Sequence, residues 1–195
     1  MKTRTYFRLG IYLAFFFFNS LFAMTVQIGN GNDFNDYETY PTPYGHRLSN
    51  ARVQYIYKCS EINLSGGGAG QITALGFNVA ATNDVQSRPL VIKLGHTSLE
   101  AHGNNFMDGL TTVFSVQNYA PAFGWNMHEF DLPFVWDGVR NLLVDIYYGS
   151  ANQITSSNAS VYYTPAPGST AYSSCLSLMF RTCSFSAIRK SEAET

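Results

Sequence analysis

Acidic side chains are scarce in this chain, so the few able to do acid–base work stand out. Glu129, Asp131, Asp137 and Asp145 all fall within Trp125–Ser150, WNMHEFDLPFVWDGVRNLLVDIYYGS. Hydrolysis of a glycan needs two carboxyl groups about 5–10 Å apart. On a strand, Glu129 and Asp131 share a face at roughly 7 Å, a spacing that a solvated outer strand face explains equally well. Histidines at 46, 96, 102 and 128 follow no metal-ligand spacing. His96 and His128 fall on otherwise apolar strand faces, where a hydrogen-bonded core or edge histidine is the expectation. No serine stands in a GxSxG elbow, and Cys59 has no papain-like surroundings. The cluster Asn32-Asp33-Phe34-Asn35-Asp36 offers hard oxygen ligands of the kind Ca²⁺ takes, at Asp33, Asn35 and Asp36. It lacks the twelve-residue loop with a terminal Glu, and a solvated Asx-turn loop is the competing account. Trp125, Trp136, Tyr147 and Tyr148 are the aromatics able to stack on sugar rings if aligned on a surface. For Trp136, inside a turn motif, core packing is expected instead. Cys59, Cys175 and Cys183 make an odd number. One bridge at most forms within the chain, with Cys175–Cys183 the expected pair and Cys59 free or buried.

The elements that must position these groups read as strands. Asn126–Leu132 alternates, with His128, Phe130 and Leu132 on one face and Met127, Glu129 and Asp131 on the other. Asn141–Tyr148 is apolar on both faces, as in a strand covered on each side in mid-sheet. Between them Pro133–Gly138 reads as a tight turn, because Asp137 bonds its own backbone and Gly138 accepts positive φ. Together they read as a central hairpin. Further strands are expected at Thr25–Gly29, Arg47–Lys58, Gln71–Val79, Pro89–His96, Leu110–Val116 and Ala159–Tyr163, with one helical turn at Ser60–Asn63 capped by Ser60. Asn30–Gly45 is too rich in Asn, Asp, Gly and Pro for a regular element. Short strands at this spacing predict an all-β, antiparallel β-sandwich of jelly-roll type. Its expected core includes Val53, Tyr55, Leu75, Phe77, Ile92, Leu94, Phe130, Leu132, Leu142, Val144 and Ile146.

Composition bounds the function. Of 195 residues, 46% are hydrophobic and 13% charged, which argues against disorder over most of the length. The first 23 residues carry Lys2, Arg4 and Arg8 and no acid, so removing them takes the formal charge from −1 to −4. An acidic domain without a basic run has no electrostatic footprint for nucleic acid. Those 23 residues have a basic start, an apolar run from Ile11 to Phe18 and Leu21-Phe22-Ala23 as a cleavage site, the layout of a secretory signal peptide. The apolar stretch, about 15 residues, falls short of the roughly 20 of a spanning helix. A secreted or cell-surface chain with no membrane span after signal removal is expected.

One resemblance adds to this reading. The succession Ile28-Gly29, Pro43-Tyr44, Ile56-Tyr57, Ile72-Thr73-Ala74-Leu75-Gly76-Phe77, Ile92-Lys93-Leu94-Gly95-His96-Thr97, Trp125, Phe130 through Gly138 and Asn141-Leu142-Leu143-Val144 resembles a recurrent β-sandwich module. That module occurs in secreted and cell-surface proteins of Bacteroidota-type bacteria, often beside fibronectin-like repeats and type IX secretion sorting domains. The likeness spans roughly Val26 to Thr164. It implies a non-catalytic accessory or adhesion-type module binding a glycan, a surface or a protein, and it brings no catalytic residues. The alternative is a secreted glycan-acting hydrolase using carboxylates of the hairpin. The domain is expected at 24–168, with 169–195 a weakly ordered tail holding one poor closing strand at most. Ala187–Thr195 is expected to fray, because it has no apolar face to bury.

Overall fold

The computed structural model describes residues 24–29, 31, 33–34, 42–45, 50–82, 87–103, 105–149, 158–164, 175–177 and 186–191. Residues 1–23, expected as a signal peptide, lie outside them, as do Asn35, Asp36, His46 and Cys183. In chain order the elements are β1 (Met24–Gln27), β2 (Asp33–Phe34), β3 (Asn50–Tyr57), α1 (Cys59–Leu64), β4 (Gly70–Ala81) and β5 (Arg88–Thr97). They continue as β6 (Thr111–Tyr119), β7 (Gly124–Trp136), β8 (Asn141–Gly149), β9 (Ser160–Tyr163), β10 (Cys175–Ser177) and β11 (Ser186–Ser191). The architecture is an all-β sandwich of two antiparallel sheets.

The first sheet is built on β4. Along one edge β7 pairs with Gly70–Val79. Along the other, β11 pairs with Gln71–Phe77 and β9 with Val79–Ala81. β1 lies outside β11, and β2 outside β9. The second sheet runs β10-β3-β8-β5-β6. Between them, Leu75, Phe77 and Val79 of β4 share one core with Val53 and Tyr55 of β3, Leu90, Ile92 and Leu94 of β5, and Leu142, Val144 and Ile146 of β8. Tyr55 and Phe77 meet across the sheets with ring centroids 6.1 Å apart. Each such side chain contributes about 1.5–3 kcal/mol through burial.

Strand β8 has the central place its composition predicts. It pairs with β3 on one side and β5 on the other. Its inner face meets the core, and at its start Asn141 donates to the Leu99 carbonyl at 2.9 Å. Gln54, beside Asp145 in register, donates to the Met107 carbonyl at 2.7 Å and accepts the Met107 N–H at 2.9 Å. Leu110 lies where a side chain on Gly95 would need to be, which explains that glycine.

The expected hairpin is not a hairpin. β7 pairs with β4 in the first sheet, while β8 pairs only within the second. The link between them is an arch from sheet to sheet, and Pro133–Trp136, expected in the turn, are strand. Asp137 still makes the predicted turn chemistry, accepting the N–H groups of Val139 and Arg140 at 2.9 Å each. Trp136 is buried, and its indole N–H donates to the Arg140 carbonyl at 2.8 Å. Gly138 has φ 73°, and a Cβ there would come within 2.8 Å of the Ala69 nitrogen. Gly138→Ala is therefore expected to cost about 1–3 kcal/mol, seen as a lower urea midpoint with an unchanged slope. An unshifted midpoint would contradict the arch geometry.

Two further expectations are corrected. Leu132 is 53% exposed rather than core, and Phe130 only packs at the core margin. The β4–β7 register breaks between Ile72 and Ala74, whose partners are Phe134 and Glu129, so Phe130–Pro133 have no partners in the ladder. The helical turn is capped by Glu61, which accepts the Lys58 N–H at 2.9 Å, not by Ser60. Among the described residues of the 169–195 segment, β10 pairs with β3, and β11 lies between β1 and β4. Ala187–Lys190 is paired on both sides, because ladder bonds come from backbone and need no apolar alternation.

Candidate functional site

The four acids of Trp125–Ser150 end in four different settings. Glu129 is exposed on the outer face of the first sheet. Asp131, in the segment outside the ladder, accepts the Ser115 N–H of β6 at 3.2 Å. Asp145 is on the outer face of the opposite sheet, nearly buried, and takes a bidentate pair from Arg52 at 2.9 and 3.1 Å. That pairing raises the guanidinium pKa further. Asp137 is held at the sandwich end by Arg140 at 2.6 Å, which with the turn N–H groups keeps its carboxyl well below the usual range. Asp145 and Glu129 thus point away from each other on opposite sides of the sandwich.

The histidines are set by packing. His128 points into the core, with Nε2 2.8 Å from the Tyr44 hydroxyl and Nδ1 buried without a hydrogen-bond partner among the described residues. Tyr119 and Phe114 lie against it, at 4.8 and 5.1 Å between centroids. Burial lowers its pKa to about 4. Tyr44 is fully buried although it comes from the stretch read as irregular loop. Thr42 holds it in place by donating to the Ala159 carbonyl at 2.9 Å, while burial raises the Tyr44 pKa. His96 lies against Phe134, 5.0 Å between centroids, and its Nε2 accepts the Asp137 N–H at 3.2 Å. Burial lowers its pKa, opposed by Asp137. Among the described residues no three His, Cys, Asp or Glu side chains gather as a metal site. Asp33 is exposed on β2, but its proposed calcium partners Asn35 and Asp36 lie outside the described residues. Cys59 is a free, half-buried thiol.

The four aromatics expected as a platform are dispersed. Trp136 and Tyr148 are buried in the core. Tyr147 is half-buried on the outer side of β8, in register with Arg52 and Val91. Only Trp125, 43% exposed, reaches the outer face of the first sheet. The reason is the arch: one strand carries Trp125 and Trp136, the other Tyr147 and Tyr148, and they belong to different sheets.

Trp125 instead has aromatic company from elsewhere in the chain. It is opposite Asn78 on β4, next to the Val79–Gly124 pair. Val79 also pairs with Val161 of β9, and both face the core, so the alternating Tyr162 faces outward with Asn78 and Trp125. Tyr162 pairs with Phe34 of β2, their rings edge to face at 6.1 Å and 81°. Phe34 is 56% exposed. Phe34, Tyr162, Asn78 and Trp125 thus form a row across four neighbouring strands, with the exposed Phe123 just beyond Gly124. Exposed rings with an amide among them can stack on an apolar ligand face and bond its hydroxyls. The sequence had singled out Trp125 alone. Period-two alternation marks one face of β9, but only the registers bring Phe34 and Tyr162 beside it.

Comparison with family models, with curated proteins and with solved structures finds no match to this chain.

Proposed function

We propose that this chain is a non-catalytic extracellular module that binds carbohydrate through the row Phe34, Tyr162, Asn78 and Trp125. The observation that carries the reading is the exposure of two large aromatics, Phe34 and Trp125, at the ends of that row on one sheet face. Burying a ring against a sugar face recovers the hydrophobic cost of leaving it in water, and each aromatic contact adds about 0.5–1.5 kcal/mol beyond area. The basic and then apolar segment 1–23 supports an extracellular setting. The likeness of Val26–Thr164 to accessory modules of Bacteroidota-type surface proteins agrees with it. The formal charge of −4 beyond residue 23 speaks against nucleic acid as the ligand.

The test is a glycan array probed with residues 24–195. Trp125→Ala should weaken any hit about tenfold, or about 1.4 kcal/mol, while the melting curve stays put, because Trp125 lies outside the core. Hydrolysis of a bound glycan by the purified chain, abolished by Glu129→Gln, would replace this reading with the hydrolase.

A further inference from the structure

We infer that the aromatic row is a track for a linear, β-1,4-linked glycan lying across the strands, with the chain ends over Trp125 and Phe34; this rests on the carbohydrate reading above. The row crosses β7, β4, β9 and β2, each hydrogen-bonded to the next. Trp125 and Phe34 are therefore three strand spacings apart, roughly 14 Å. A pyranose unit in an extended chain is about as long as one such spacing, so the row spans about three sugar units. β-1,4-linked chains are flat ribbons whose faces carry axial C–H groups, and the electron-rich faces of aromatic rings attract such groups. Because Phe34 and Tyr162 are nearly perpendicular, no more than one of the two rings lies flat along the ribbon. Asn78, half-buried between the aromatic ends, offers a donor and an acceptor to ring hydroxyls.

A protein partner fits poorly, because a row one residue wide falls far short of the roughly 800 Å² per partner of a specific interface.

Calorimetric titration of residues 24–195 with cello- and chito-oligosaccharides, from the monosaccharide to the hexasaccharide, reads this directly. Affinity should rise at least tenfold from the monosaccharide to the tri- or tetrasaccharide and then level off. Phe34→Ala and Trp125→Ala should each lower the affinity of the long oligomers about tenfold, with circular dichroism unchanged. Long oligomers that bind no tighter than the monosaccharide, or an oligomer affinity untouched by Phe34→Ala, would overturn the track while leaving carbohydrate binding standing. If neither series binds, the track is refuted, and a blank glycan array alongside refutes the carbohydrate reading as well. A concentration-dependent dimer in sedimentation, dissociated by Trp125→Ala, would make the row a contact between copies and overturn the proposal.

Discussion

Between pH 7 and pH 4 the domain is expected to lose about 3 kcal/mol of unfolding free energy through His128 alone. The imidazole is buried beside Tyr44, Phe77, Phe114 and Tyr119, and burial lowers its folded pKa to about 4 from an ordinary 6.5. In the unfolded chain it protonates near the ordinary value. The stabilisation from the neutral ring is therefore fully present above pH 6.5, falls as the pH drops below it, and levels off below about 4. Against a marginal total of about 5–15 kcal/mol this is a large share. His128→Leu removes the titrating group. The stability gap between wild type and variant, from urea unfolding at each pH, should change by about 3 kcal/mol across this interval. Parallel curves would show that His128 is not held neutral in the core.

Val144→Asp should have a larger effect still. Val144 is fully buried at the middle of β8, between Tyr55 of β3 and Leu94 of β5 in register. An aspartate there has no cation in the surrounding apolar cluster. An uncompensated buried charge costs about 3–5 kcal/mol, and the lost packing of the valine adds to it. The variant should be largely unfolded at 37 °C by circular dichroism. A variant that melts with the wild type would remove β8 from the centre of the second sheet.

Both predictions depend on strands whose pattern was visible in the residues. β3, β4, β5 and β8 each bury one apolar face against a common core, and that demand is written as period-two alternation in Val53 and Tyr55, Leu75 and Phe77, Ile92 and Leu94, Val144 and Ile146. The β7–β8 link was misread because Asp137-Gly138 specifies a local reversal and nothing more. The same Asx bonds and positive φ serve a hairpin within one sheet or an arch between two. What separates the two is the partner of each strand, and β7 finds β4 more than forty residues upstream. Leu132 was misplaced because alternation assumes an unbroken register, and this one breaks after Glu129. Tyr44 was missed because a core residue delivered by a loop has no periodicity; Thr42 fixes it through a bond to the distant Ala159. The aromatic row was legible only at Trp125, since Phe34 read as part of an acidic loop and Tyr162 as one residue of a short strand.

The central claim is that Trp125 lies in the ligand footprint on the first sheet. The chain has two tryptophans, one exposed and one buried, so acrylamide reaches Trp125 and leaves Trp136 dark to the quencher. A saturating neutral glycan should shield Trp125, lowering the quenching constant and shifting the emission to the blue, and Trp125→Phe should abolish both changes. Glycan bound with the quenching of Trp125 unaltered would place the ligand elsewhere on the molecule and contradict the account.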